Sequence, residues 1–468
     1  MYISRHRCSG LLTAGPTSEV CVANPLAMLS PRARLGCAAC VAGGASLAAL
    51  LLAWRPHEST VVKLRGYVHL YNWLYRNDTS SDAAWERRLG ELLEAALAAE
   101  RAAFGDDARA DAAKRALFRA QLDGLSGPGN RFSALGRALA RKDLVATLTR
   151  RRAFADRCAA AEPLPPLRAG VVVIAGLPRT GSTFLHRLLA ADEGTRSPLW
   201  WEQMHDDPAP AVSPDDPRAA EVARALRGLA AISPNALAEF DKFHKLGSGE
   251  VEECAPFLRR YYNDMDSVLF APRALDARSR WLRDPAVDKS FLARHLVAWL
   301  RLQNADKAWI LKAPLFTYFL DELEAALPPS TTFAFTSRDP RSVVPSTCGM
   351  AEVSAALKAD WTTPDFLHLL GESVADRLAA WAGLQADFAA RRPDAVRVAY
   401  DDLVADPLAV VELIYAAAGR TLAPETRAAM DRHLAENRQH KHGRAAYSLA
   451  KFGLADLSRF DAYAATFL

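Results

Sequence analysis

Short apolar runs recur along the chain, and each gives way to a polar turn and then to a stretch with helical periodicity. Residues 171–175 (VVVIA) break at Gly176 into LPRTG, and in the following FLHRLLAAD the side chains Phe184, Leu185, Leu188 and Leu189 share one helical face. Ala308–Lys312 (AWILK) leads to a helix beginning near Leu315. Thr332–Thr336 (TFAFT) passes through SRDPR into another, and Ala395–Ala399 (AVRVA) passes through YDDLVADP into VVELIYAAAGR. Apolar runs alternating with helices predict an α/β fold, a P-loop-like parallel sheet flanked by helices. The long stretches 200–307 and 350–394 read as mostly helical insertions. Upstream, residues 55–165 are charged and helical, with Ser81 or Asp82 as a cap and Leu89, Leu92, Leu93 and Leu97 as a stripe. This part reads as a stem and packing layer. The Pro-rich EPLPPLRAG at 162–170 delivers the chain into a main domain covering 166–468.

The turn after the first strand carries the strongest chemical signal. Gly176 and Gly181 bracket four residues, and Thr183 stands where a Walker hydroxyl would, but the lysine position is Ser182 and the nearest cation is Arg179. A strand feeding a Gly-rich turn and a helix start aims unpaired backbone N–H groups at one spot, where the helix dipole is also positive. Arg179, Thr180, Gly181, Ser182 and Thr183 are therefore candidate anion ligands: glycine allows close backbone approach, hydroxyls add donors, and a guanidinium adds a charged fork. A nucleotide kinase-like phosphotransferase would need the missing lysine and a magnesium ligand.

GLPRTGSTFLHRLL resembles the 5′-phosphosulfate loop of sulfotransferases that use 3′-phosphoadenosine 5′-phosphosulfate (PAPS), and the other motifs of that family follow in order over about residues 170–465. The resemblance implies sulfuryl transfer from PAPS to an acceptor oxygen or nitrogen, with adenosine 3′,5′-bisphosphate leaving and no metal required. In TSRDPRSVVPS it assigns Arg338 and Ser346 to the 3′-phosphate, a role suited to a bidentate cation and a hydroxyl on the next helix. In WILKAPLF it assigns Lys312, at the carboxyl end of a predicted strand, to the bridging oxygen of the leaving group. Phe316 stands where many relatives carry His. Proton removal from the acceptor needs a base. Glu202 in PLWWEQMH, flanked by Trp200 and Trp201, is the first candidate, with His205, His244, Glu252 and Glu253 as competitors. The last two lie in a PEEC-like segment in which Val251 replaces Pro. VAYDDLVADP reads as structural, with Asp401 or Asp402 near a helix start and Pro407 in a first turn. Lys441 and Arg444 in HKHGRAAYSLAKFGL are further 3′-phosphate candidates, although Ala445 stands where relatives often have His. A catalytically inactive nucleotide-binding scaffold of the same fold is the other alternative.

Composition limits the partners. The chain has 468 residues, half of them hydrophobic, and a formal charge of only +4 without a basic run interleaved with aromatics, so nucleic acid is not an expected partner. Cys37 and Cys40 form a CxxC with no second pair, which argues against a zinc site. Residues 35–54 (LGCAACVAGGASLAALLLAW) are uncharged over about 20 positions, the length that spans a bilayer. With Arg32 and Arg34 before and Arg55 after, they predict an N-terminal membrane-anchor helix behind a short tail at 1–34. The basic tail favours a single-pass type II orientation with a lumenal catalytic domain in the Golgi or another secretory membrane. A buried or cleaved segment and a cytoplasmic protein are the competing reading. Asn77-Asp78-Thr79 is a glycosylation sequon on the lumenal side of that arrangement. The acceptor is open among glycan, protein tyrosine, lipid and small alcohol.

Overall fold

The computed structural model describes residues 83–126, 132–210, 215–261, 281–284, 286–356, 364–437 and 447–468, with Val68, Tyr71, Asn72, Leu74, Tyr75 and Lys358 as separate positions. The predicted anchor at 35–54, Cys37 and Cys40, the sequon at 77–79, the caps Ser81 and Asp82, and Lys441 and Arg444 lie outside them. Among the described residues no helix is long and apolar enough to cross a membrane.

β1 (Val171–Gly176) is buried at every position, which is why its sequence shows no polar alternation. Val171, Val173 and Ala175 enter one apolar cluster, and Val172 and Ile174 enter a second on the opposite face. β2 (Thr195–Arg196), β3 (Ala308–Lys312), β4 (Thr332–Ser337) and β5 (Val396–Ala399) join it in a five-stranded sheet of order β2-β3-β1-β4-β5. Every pairing is parallel: Ile174 lies opposite Lys312 on one side and Ala334 on the other. The strands repeat the two-faced pattern, with Trp309, Leu311, Phe333 and Phe335 on the side of Val173 and Ile310, Ala334 and Val398 on the side of Ile174. Each fully buried Val, Ile, Leu or Phe contributes about 1.5–3 kcal/mol, so the central strand is anchored from both sides.

Two elements differ from the sequence expectation. β2 is too short to carry a hydrophobic period and exists because Thr195 and Arg196 pair with Ala308 and Trp309. The helix expected near Leu315 begins as a 3₁₀ segment, Pro314–Phe319, with all six residues buried, and becomes α-helical only at Leu320–Ala326. The insertions are helical as expected, with Pro217–Ile232, Ala236–Asp241 and Ser290–Leu302 in the first and Pro364–Arg391 in the second.

The upstream helices Ala83–Phe104, Ala108–Ser126 and Ala134–Ala160 pack on one another through Leu89, Leu93, Leu97, Phe118 and Leu148, with Leu92 partly buried beside them. Phe154 and Cys158 belong instead to the main core with Val173 and Leu311, so this layer and the sheet share one interior. A buried ionic knot ties the layer together. Glu100 accepts from Arg151 at 2.7 and 3.0 Å and from Lys114 at 2.8 Å, and Arg151 lies 5.0 Å over the Tyr261 ring from the main domain. Burial pushes the Glu100 carboxyl up, but Arg151 and the other nearby cationic groups outweigh it and bring it down to about 2.

All four motif-bearing strand ends open on the carboxyl edge of the sheet, where the chain leaves β1 for β2 on one side and later crosses from β3 to β4 on the other. Gly176, at φ +137°, permits the departure of the turn: a Cβ there would lie 2.4 Å from the Thr336 carbonyl oxygen.

Two outcomes follow from this architecture. Because the folded Glu100 value is depressed, its stabilisation is present above pH ~4.5 and is lost as pH falls toward 2. Unfolding free energy is expected to drop by about 3 kcal/mol across that window, with a smaller acid dependence in Glu100→Gln; urea melts at stepped pH measure both. Gly176→Ala is expected to cost more than about 2 kcal/mol by the same melts at neutral pH, since both the backbone angle and the space exclude a side chain.

Candidate active site

The loop between β1 and the helix Ser182–Leu189 is held in shape from within. Thr180 is fully buried, and its hydroxyl donates to the Leu177 carbonyl at 2.6 Å and lies 2.6 Å from the Thr336 hydroxyl. That hydroxyl is therefore spent on the loop itself, and only the Thr180 main chain remains for an anion. Gly181 caps the helix at φ +87°, and a Cβ there would meet Leu403 and Tyr400 at 3.0 and 3.1 Å. The helix makes a bond from the Leu185 amide to the Gly181 carbonyl, so the amides of Ser182 and Thr183 project from its open end.

Arg179 occupies a left-handed conformation, φ +68°, that a branched or long side chain adopts at a cost of about 1–3 kcal/mol. Its surroundings hold it there. Nε donates to the Ser346 hydroxyl at 3.1 Å, Nη1 donates to the Phe243 carbonyl at 2.6 Å, and the guanidinium lies 5.7 Å from the Phe243 ring centroid. Arg338 leaves the end of β4, stacks 3.8 Å over the Tyr400 ring and donates to the Arg179 carbonyl at 3.2 Å. Asp339 is occupied elsewhere, accepting the Arg341 amide at 2.8 Å as the cap of the helix Pro340–Ala356 that carries Ser346. The structure thus brings Arg179, Arg338 and Ser346 together, and among the described residues no carboxylate bonds to either guanidinium. Burial, with Arg338 adding to it, pulls the Arg179 guanidinium below its ordinary value.

Lys312 stands on the other side of the loop at the end of β3. It is buried, donates to the Thr183 hydroxyl at 3.2 Å and forms an ion pair with Glu253. The Glu253 segment is stretched between two anchors. The Glu252 amide donates to the Pro198 carbonyl at 2.8 Å, and the Cys254 amide donates to the Lys312 carbonyl at 2.8 Å. Burial raises the Glu253 carboxyl, but Lys312, then His244 and Arg259, reverse this and leave it below the usual range. Glu252 beside it is 2 % exposed and bonds His244 Nε2 at 2.8 Å while accepting the Glu253 amide at 2.9 Å. Among the described residues, His244 is bonded at Nε2 and no partner is bonded to its Nδ1. His244 follows the residue whose carbonyl Arg179 grips.

The proton acceptor placed first by the sequence is bonded differently. Glu202 is buried in the first turn of the helix Trp200–Met204, where one oxygen receives Arg196 at 2.5 Å and the other receives the Leu199 amide at 2.9 Å. Both oxygens are engaged within its own segment, as a cap and ion pair. His205 is also engaged on both ring nitrogens, with Glu221 at 3.1 Å and the Asp207 amide at 3.0 Å. The sequence reading did not single out Tyr400 or the Phe243 carbonyl. An aromatic residue at the end of β5 was the available signal for the first; the second has none, because a main-chain contact across 64 residues leaves no mark in side-chain pattern.

A family model described as the sulfotransferase family matches residues 171–424, more than half of the chain. The chain belongs to the sulfotransferase family. The matched span contains every residue of the cluster around the loop. Among solved structures, sulfotransferase STF1 from Mycobacterium tuberculosis H37Rv is 24% identical, with a TM-score of 0.62 over 80% of this chain and 98% of that one. Sulfotransferase STF9 from Mycobacterium avium is 22% identical, with a TM-score of 0.65 over 80% and 95%. At these identities both likenesses speak to the fold. No curated protein sequence matches the chain. For this sulfotransferase, Glu202→Gln is expected to lower unfolding free energy by about 1.5–3 kcal/mol, the scale of a hydrogen bond to a charged group, as measured by chemical denaturation. An unchanged midpoint would remove the capping role.

Proposed function

We propose that the protein transfers the sulfuryl group of PAPS to a hydroxyl or amine acceptor by in-line displacement. One observation carries the reading: Arg179, Arg338 and Ser346 converge on a loop whose opposite side faces Lys312, giving two anion-seeking centres around one helix end. PAPS has two anionic ends, a 3′-phosphate and a 5′-phosphosulfate. In this reading Arg338 and Ser346 take the first, and the amides and side chains at Arg179, Gly181, Ser182 and Thr183, with the main chain of Thr180, take the second. Lys312 neutralises the bridging oxygen as the sulfur–oxygen bond to the phosphate breaks and adenosine 3′,5′-bisphosphate departs. The acceptor oxygen or nitrogen forms the new bond to sulfur and gives its proton to a base. Preformed donors at the site of developing charge are what such a transfer needs, as in phosphoryl transfer.

For the base, His244 is favoured over Glu202. Its Nε2 is oriented by the buried Glu252 carboxylate and its Nδ1 bonds no partner among the described residues, whereas both Glu202 oxygens already hold donors. Residues 35–54 with their arginine flanks support a membrane anchor and a lumenal catalytic domain. That address would favour glycan or secreted-protein acceptors, and carbonate extraction with protease protection of the full chain tests it.

Adenosine 3′,5′-bisphosphate is expected to bind without magnesium, and Arg338→Ala to weaken it by about 1–3 kcal/mol, measured by titration calorimetry. Preferred binding of ATP–magnesium, with no competition from the bisphosphate, would replace this reading with a kinase-like one. In a labelled-sulfate screen over glycan, peptide, lipid and alcohol acceptors, His244→Ala is expected to lower turnover by about 10²- to 10⁴-fold. Glu202→Gln should remain within a few-fold of the parent once folded. Binding of the bisphosphate with no transfer to any acceptor would point to a scaffold.

A further inference from the structure

Lys312 has two partners with opposite consequences. Thr183 connects it to the loop helix, while Glu253 neutralises the charge that the leaving group requires. Glu253 is 20% exposed at the side chain whereas Lys312 is 5% exposed, so the acid sits on the open side of the pair and the lysine on the enclosed side. The same short segment carries Glu252, which orients His244, and is anchored by the Cys254 amide to the Lys312 carbonyl. Arg179, the second cation of the loop, bonds the carbonyl of Phe243, the residue before His244. Arg179 and Lys312 are therefore each bonded to a segment that holds His244.

Resting on the sulfotransferase reading, we propose that Glu253 is a positioning residue that occupies Lys312 until the donor's phosphosulfate displaces it. The displaced carboxylate then turns to the acceptor and receives a hydrogen bond from its hydroxyl or amine, beside His244. Displacement exchanges one anion for another at Lys312 and makes or breaks no covalent bond. A carboxylate and a phosphosulfate cannot both lie against one buried ammonium without mutual repulsion, so donor binding works against the Lys312–Glu253 pair. The same exchange completes the acceptor side only after the donor has arrived. Donor and acceptor binding are then coupled through one side chain, and the coupling is reciprocal.

Titration calorimetry with adenosine 3′,5′-bisphosphate on the full chain tests the exchange. Glu253→Gln is expected to bind the bisphosphate about five- to tenfold more tightly than the parent, the lower end of typical coupling between sites. In a Lys312→Gln background the same substitution should give less than a twofold change, because the competition for the ammonium is gone. Glu253→Asp keeps the charge but shortens the reach, and is expected to tighten binding by a smaller factor; it serves if Glu253→Gln does not fold. In steady-state transfer, Glu253→Gln should raise the acceptor KM by more than fivefold while the donor KM falls. Unchanged or weaker bisphosphate binding in Glu253→Gln and Glu253→Asp, with the parent binding normally, overturns the exchange and leaves the sulfotransferase reading standing. Equal tightening with and without Lys312 also overturns it, since general charge repulsion would then suffice. A parent that fails to bind the bisphosphate removes the donor assignment itself, and the exchange with it.

Discussion

The close approach of Gly176 to the Thr336 carbonyl leaves no room for a side chain, and that contact fixes where the chain leaves β1. From this point the loop is a rigid bracket. Thr180 bonds back to Leu177 and abuts Thr336, Gly181 turns the chain against Tyr400 and Leu403, and the helix starts with its free amides facing outward. Arg179 is carried in a left-handed conformation as part of the same bracket. The bracket is thus preformed: its strain is held by the packing of β1 between β3 and β4, buried on both faces.

Around that bracket the charges are separated by side. Arg179 and Arg338 stand toward β4 and β5 with hydroxyl, carbonyl and aromatic partners, whereas Lys312 stands toward β3 with a carboxylate. Among the described residues no carboxylate bonds to the two arginines, whereas Lys312 is neutralised by Glu253. His186 lies behind this arrangement on the loop helix. It is brought down to about 3 by burial and then by Lys312, so it stays neutral while bonding to the Ile310 carbonyl. It adds no positive charge beneath the loop.

Much of this was legible in the chain. Four of the five strands follow from apolar runs: β1, β3 and β4 because a strand buried on both faces must be apolar at nearly every position, and β5 through the apolar residues either side of the exposed Arg397. The loop, Lys312, Arg338 and Ser346 follow from local motifs, since a turn with its glycines and cations is contained within a few residues. β2 was not legible, being two residues defined by their partner strand. Nor was the 3₁₀ start at Pro314–Phe319, whose six buried residues depend on neighbours from elsewhere in the chain.

The proton acceptor shows where sequence reasoning stops. Glu202, His205, His244, Glu252 and Glu253 are equivalent on paper: acids and imidazoles near aromatic or cationic neighbours. Tertiary structure separates them by what each already bonds. Arg196 and the Leu199 amide occupy Glu202, Glu221 and the Asp207 amide occupy His205, Lys312 occupies Glu253, and Glu252 orients His244. The sequence by itself determined the sheet, the phosphate-type loop and the cations beside it, because each is a local pattern of burial or turn geometry. Only the tertiary structure shows which donors each acid and imidazole already holds, because hydrogen-bond partners are set by backbone geometry and packing rather than by residue type.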